Sequence, residues 1–205
     1  MQRAIPTAIG ARPSWTVALA LGAALLTGCC SEAPSAPAGW EPVKRGDLSG
    51  PGAALLKKAE AARNGLARGL VGELTAAIEA GGHVGAIGVC QERAPIIAEE
   101  ASAEHGVRIG RTSAQLRQPK NAAPEWAKGR LTGAPEEILF TSGDTELRAL
   151  FPITIAPVCL ACHGEPDNLA NGVAETLAAS YPDDNATGYG DGDLRGWFWV
   201  EAKNQ

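Results

Sequence analysis

Five consecutive residues late in the chain carry the clearest chemistry: Cys159-Leu160-Ala161-Cys162-His163, a C-x-x-C-H. Two thiols at this spacing reach the two vinyl groups along one side of a porphyrin, and the adjacent imidazole lies under the iron as an axial ligand. At ordinary Cys and His frequencies the pattern arises by chance in about one chain in a thousand of this length. Two other chemistries use the same residue types. A C-x-x-C outside the cytoplasm can be a local disulfide or a redox pair. Thioredoxin-like motifs, however, open a helix in an early βαβ unit, and this one lies late with no such pattern. Zinc would need Cys90, Cys159, Cys162 and His163 together. Neighbours such as Cys162 and His163 rarely reach one tetrahedral metal. The expected cofactor is therefore one haem c, covalent through Cys159 and Cys162, with His163 on the iron.

The opposite face of the iron is narrowed by composition. The chain has a single methionine, Met1, which is expected to leave with an N-terminal signal segment, so His/Met ligation is excluded. The remaining candidates are His83, His105, Cys90, a lysine, or an open position. His105 precedes Gly106 at a polar helix end and reads as a solvated C-terminal histidine. His83 opens a helical stretch, where a surface role is usual. Cys90 ends the small-residue run VGAIGVC, which would let a flat macrocycle approach the backbone. It reads equally as a small buried hydrophobe or as a disulfide partner of Cys30. Propionates need cationic or hydroxyl partners; Arg111, Arg117, Arg195, Tyr181 and Tyr189 are candidates that also suit surface or packing roles.

The elements that must position these residues follow from patterning. The chain has 205 residues, 45% hydrophobic and 20% charged, with net charge −5. That supports one core and leaves no cationic footprint for nucleic acid. Residues 1–28 read as a lipoprotein signal peptide. Arg3 and Arg12 precede a ten-residue apolar run at 17–26, too short to span a bilayer. Leu26-Thr27-Gly28-Cys29 resembles a bacterial lipobox, with Cys29 as the lipidated residue. No twin-Arg pair is present, so export is expected unfolded. The residue after Cys29 is Cys30 rather than Asp, which argues for the outer membrane. Residues 29–52, rich in Pro, Ala, Ser and Gly, read as a flexible tether, which starts the domain at 53–205.

Within that domain Leu55, Ala59, Ala62, Leu66, Leu70, Leu74 and Ile78 recur at helical steps, and Gly81-Gly82 stops them. A second helix covers 83–105, interrupted near Pro95 and ended by Gly106. Residues 107–113 alternate like a strand, and 114–124 form a loop. A short helix is expected at 125–131 and an apolar piece at 138–141. Residues 145–157 read as a strand with Pro152 at an edge or bulge. A helix at 171–180, a loop at 181–193 and an aromatic strand at 194–201 complete the chain. Helices first and strands after favour α+β over a parallel α/β sheet.

Four blocks in order carry a family resemblance: AIGVCQERAPIIAEEAS (86–102), GVRIGRTSAQLRQPKNAAPEW (106–126), PVCLACHGEP (157–166) and YPDDNATGYGDGDLRG (181–196). With them the chain resembles the bacterial and cyanobacterial monohaem c-type family with a PAS-like fold, found alone or as a sensory part of signalling proteins. The resemblance implies a PAS-like α+β fold, with long N-terminal helices on an antiparallel sheet. It also implies that Cys90, in the V-C-x-x-x-A-P block, is the sixth ligand opposite His163. The chain departs from the family after R-T-S, reading Arg117-Gln118-Pro119-Lys120-Asn121-Ala122-Ala123-Pro124 in place of R-N-P-x-N-x-P.

A thiolate ligand stabilises Fe(III) and lowers the potential. Protonation to the thiol competes in the ferrous form, so Cys90 is a natural switch. The leading expectation is a lipid-anchored, extracytoplasmic sensor of redox state or a diatomic gas, signalling to a separate protein partner. A low-potential periplasmic electron carrier is the alternative. A peroxidase-type enzyme ranks behind both, because only His83 or His105 could supply acid–base chemistry.

Overall fold

In the computed structural model, which describes residues 35–204, an antiparallel sheet of five strands carries a long helical hairpin on one face. The expected signal peptide, Cys29 and Cys30 lie outside the described residues. The strands are β1 (Glu41–Val43), β2 (Arg108–Thr112), β3 (Ile138–Ser142), β4 (Glu146–Thr154) and β5 (Leu194–Lys203), in the order β1-β3-β4-β5-β2. The helices are α1 (Gly50–His105), α2 (Leu160–His163) and α3 (Val173–Ser180).

Helix α1 is two arms. Gly81 and Gly82 leave helical dihedrals, Gly82 with φ +66°, and Gly106 caps the second arm at φ +58°; at both Gly82 and Gly106 glycine's freedom is required. Contacts across the turn make the arms antiparallel. Arg93 pairs with Glu73 at 3.0 Å, and a Cβ on Gly69 would lie 2.6 Å from Ile97 Cγ2. The predicted interruption at Pro95 does not occur, since the dihedrals stay helical there. Proline costs the N–H that would bond Gln91 and about 3 kcal/mol. Burial of Ala94, Ile97 and Ala101 around it offsets much of that.

The strands alternate as the sequence predicts. Leu147, Ala149 and Phe151 of β4 and Phe198, Val200 and Ala202 of β5 pack against Leu55, Ala59, Ala62 and Leu66 of the first arm. Phe140, Leu150 and Trp197 face the other way, joined by Trp126 and Trp40. The helix expected at 125–131 reduces to one 3₁₀ turn, Glu125–Ala127, which seats Trp126. Strand β4 is central, yet its ladder with β3 ends at Leu150 and its ladder with β5 shifts register at Ile153/Thr154. Pro152 therefore sits where one side is already an edge and a bulge follows.

Residues 40–52 are a correction to the expected tether. Strand β1 pairs with β3, the Arg148 guanidinium lies 4.0 Å from the Trp40 ring centre, and Arg45 bridges Glu60 and Glu137. Composition hid this because three short-strand residues and one aromatic leave no periodicity. The α+β class, with long helices on an antiparallel sheet, is as expected.

Candidate functional site

The C-x-x-C-H folds as two consecutive turns, a 3₁₀ turn at Pro157–Cys159 running into α2. Pro157 pre-sets the first turn, and Gly164 ends the second, where a Cβ would lie 2.7 Å from the Leu160 carbonyl oxygen. Cys159 and Cys162 are free and half-buried. Being three apart on helical turns, they share a face. They also sit in two apolar clusters. Cys162 packs by Val173, Leu177 and Tyr181, and Cys159 by Ile155, Ala186 and Tyr189.

His163 donates from Nδ1 to the Ala186 carbonyl at 2.7 Å. A carbonyl partner puts the proton on Nδ1 and leaves Nε2 as the nitrogen with a lone pair. Burial, reinforced by Arg117, Arg195 and Arg111, pushes the imidazole down to about 3, although the Ala186 bond opposes this. It is neutral, the form a metal ligand needs. The Tyr189 ring stands edge-on to it at 6.4 Å.

A strap from the 181–193 loop closes over this turn. The Tyr189 N–H donates to the His163 carbonyl at 3.0 Å and the Gly188 N–H to that of Gly164 at 2.8 Å. Arg117 crosses from the preceding loop. Its Nε meets Asp184 Oδ2 at 3.0 Å and an Nη donates to the Cys162 carbonyl at 2.7 Å.

The facing wall is the second arm of α1. Positions 83, 87, 90, 94, 97 and 101 fall on one strip of a 3.6-residue helix. Ile87, Ala94, Ile97 and Ala101 on that strip are at most 6% exposed, but Cys90, in their middle, is exposed. Burial nevertheless raises its thiol pKa, with Arg111 and Arg117 drawing it back. Cys90 thus lies near Arg111 and Arg117, one turn from Ile87, which packs in the same cluster as Cys162. The same groups sense one another. Tyr181 is raised by burial and by Cys90, and Cys162 by burial and then by Cys90 and Cys159. Arg111 is two residues beyond Ile109 on the helix-covered face of β2 and is lowered by burial. Among the described side-chain hydrogen bonds and ion pairs, none involves it.

The structure thus brings Cys90, Arg111, Tyr181, Cys162 and His163 into one neighbourhood, between the second arm of α1 and the C-x-x-C-H turn. Other candidates fall away from it. His105 packs against Gly65, whose Cβ would sit 3.3 Å from its Nε2, about 22 Å along the helix from Cys90. His83 is half-buried, two turns toward the hairpin end. Arg117 is committed to Asp184 and two carbonyls. Arg195 donates to the Gln115 carbonyl at 3.1 Å and lies 5.5 Å over the Tyr189 ring. Among the described residues no three His, Cys, Asp or Glu side chains converge as for a metal ion, so the Cys₃His arrangement is not assembled. Sequence reasoning missed Asp184 and Ala186. The acidic loop offered a signal for the first, while a backbone carbonyl leaves none.

Two free thiols on one helical face, a neutral imidazole with Nε2 available, a thiol on an otherwise buried strip and an arginine without an acceptor fit a haem group. Cys159 and Cys162 would hold the ring, His163 and Cys90 could supply ligands to its iron, and Arg111 would meet an anion.

The model of the Tll0287-like family matches residues 47–202. Among solved structures, the crystal structure of the cyanobacterial haem protein Tll0287 aligns with a TM-score of 0.55 and 21% identity, covering 73% of this chain and 95% of that one. That likeness is one of fold. No curated protein matches the chain.

Proposed function

Because the chain belongs to the Tll0287-like family, we propose that it is a haem protein, with one c-type haem fixed by Cys159 and Cys162 and ligated by His163 Nε2 and the Cys90 thiolate. The observation that carries this reading is the exposure of Cys90 inside a buried helical strip. The same strip packs Ile87 against the cluster that contains Cys162, so the free thiol stands beside the C-x-x-C-H turn. When bound, haem iron supplies one-electron chemistry and a site for diatomic gases.

The residues of the chain divide the work. His163 stays neutral and oriented through Ala186. Cys90, as a thiolate, would favour the ferric state and hold the potential low. Arg111 and Arg117 beside it favour its ionised form, and burial opposes that. Such a balance suits a ligand that lets go when the iron is reduced or a gas arrives, and supports a redox or diatomic-gas sensor signalling to a separate protein. The alternative reading is a low-potential electron carrier. It is favoured by the hydrogen-bonded strap, which fixes His163 and limits reorganisation. In both readings the chain works outside the cytoplasm, on a lipid at Cys29.

Ferric EPR and a redox titration of the haem-loaded protein test the ligand set. A low-spin thiolate signature that vanishes in Cys90→Ala is expected, and an unchanged spectrum overturns the assignment. CO or NO binding to the reduced protein, with loss of the thiolate signature, supports the sensor. Refusal of both gases supports the electron carrier.

A further inference from the structure

The loop carbonyl that holds His163 is itself held, and the pair of side chains holding it is charged. We infer that Arg117 and Asp184 are positioning residues that set the electronic character of the His163 imidazole through the Ala186 carbonyl. The inference rests on the haem reading above and deepens it.

Asp184 uses both oxygens. Oδ1 accepts the Ala186 N–H at 2.8 Å, fixing that peptide in an Asx turn, and Oδ2 accepts Arg117 Nε at 3.0 Å. Arg117 then spans the two backbones that must stay in register. One Nη donates to the Cys162 carbonyl at 2.7 Å and to the Ala186 carbonyl at 3.3 Å. The Ala186 carbonyl therefore accepts from His163 Nδ1 and from a guanidinium together. With side chains 14% and 9% exposed, the charges of Arg117 and Asp184 are little screened.

The signs follow from elementary electrostatics. A cation on the shared acceptor draws density from its oxygen, so the carbonyl pulls less on the Nδ1 proton. The imidazole is then a weaker donor through Nε2. The Arg117 charge also favours the less positive, reduced state of a nearby metal centre. Both effects raise the potential. Asp184 opposes them by its charge while holding Arg117 in place. An arginine that merely filled space would need neither the carboxylate nor two carbonyls.

Redox titration of the haem-loaded, full-length protein separates tuning from bracing. Arg117→Gln should shift the one-electron equilibrium about tenfold toward the ferric form, about 59 mV downward. Asp184→Asn should shift it upward, and Arg117→Lys, which keeps the charge, should recover most of the loss. Variants that load haem and titrate with the unaltered protein, or that both move downward, overturn the inference. Where Arg117→Gln fails to load haem, the nearly isosteric Asp184→Asn decides. An upward shift supports the inference and any other result overturns it. An unaltered chain that takes up no covalent haem overturns the reading beneath it, and this inference falls with it before any variant is compared.

Discussion

The two walls of the candidate site are built on different physics. The C-x-x-C-H wall is held by directional bonds in addition to its two apolar clusters. Its turn, its strap and the Arg117 brace are tied by backbone and charge-assisted hydrogen bonds, most between 2.7 and 3.0 Å. The Cys90 wall is apolar and held from behind. Its arm presses Ile97 and Ala101 into the main core and Ile87 into a satellite cluster, and no described hydrogen bond involves the Cys90 side chain. A wall locked by directional bonds keeps its ligand in place. A wall held by non-directional packing leaves the Cys90 side chain itself without a directional bond.

The largest effect is expected at the two thiols. Cys159→Ser with Cys162→Ser should abolish covalent haem altogether, so that acidified organic solvent extracts whatever haem remains. Retention of haem through extraction would contradict the assignment. Next in size is the acid response of the haem-free chain. His163 is held at about 3 against an ordinary 6.5, so between those values the unfolded chain binds the extra proton. Stability is then full above about pH 6.5 and is lost as pH falls toward 3. Denaturant titrations should show that slope, and His163→Gln should flatten it.

On the other wall, Gly69→Leu forces the arms apart against Ile97 and should cost about 1–3 kcal/mol in denaturant unfolding. It should leave covalent attachment intact. The smallest effect belongs to Cys90→Ala. Within about 0.5 kcal/mol it should leave the stability of the haem-free chain unchanged. A large loss would mean that Cys90 is a packing residue after all.

Much of this site is legible in the sequence, because helical chemistry is local. The C-x-x-C-H spacing, the Gly81-Gly82 turn and the strip through Cys90 need only a 3.6-residue period to interpret. Strand alternation gives the core in the same way. What sequence hides is non-local or carries no side chain. Strand β1 is visible only once β3 offers it an edge. Pro95 is tolerated because of buried neighbours on its own arm, which local propensity does not weigh. Arg117 reads as a candidate propionate partner until Asp184, 67 positions away, is found to occupy it. Ala186 acts through its carbonyl, and any residue there would read the same.

The place of β5 in the sheet has a consequence for the order of events during synthesis. It is the last strand in the chain, yet it joins β4 on one side and β2 on the other. Until residues 194–203 are delivered, β2 has no partner and the sheet cannot close. A chain emerging N-terminus first therefore carries Cys159 and Cys162, with the neighbours that pack on them, before β2 and β4 can be joined. The sheet thus owes its closure to the last ten residues of its strands, at the far end of the chain from the helix it carries.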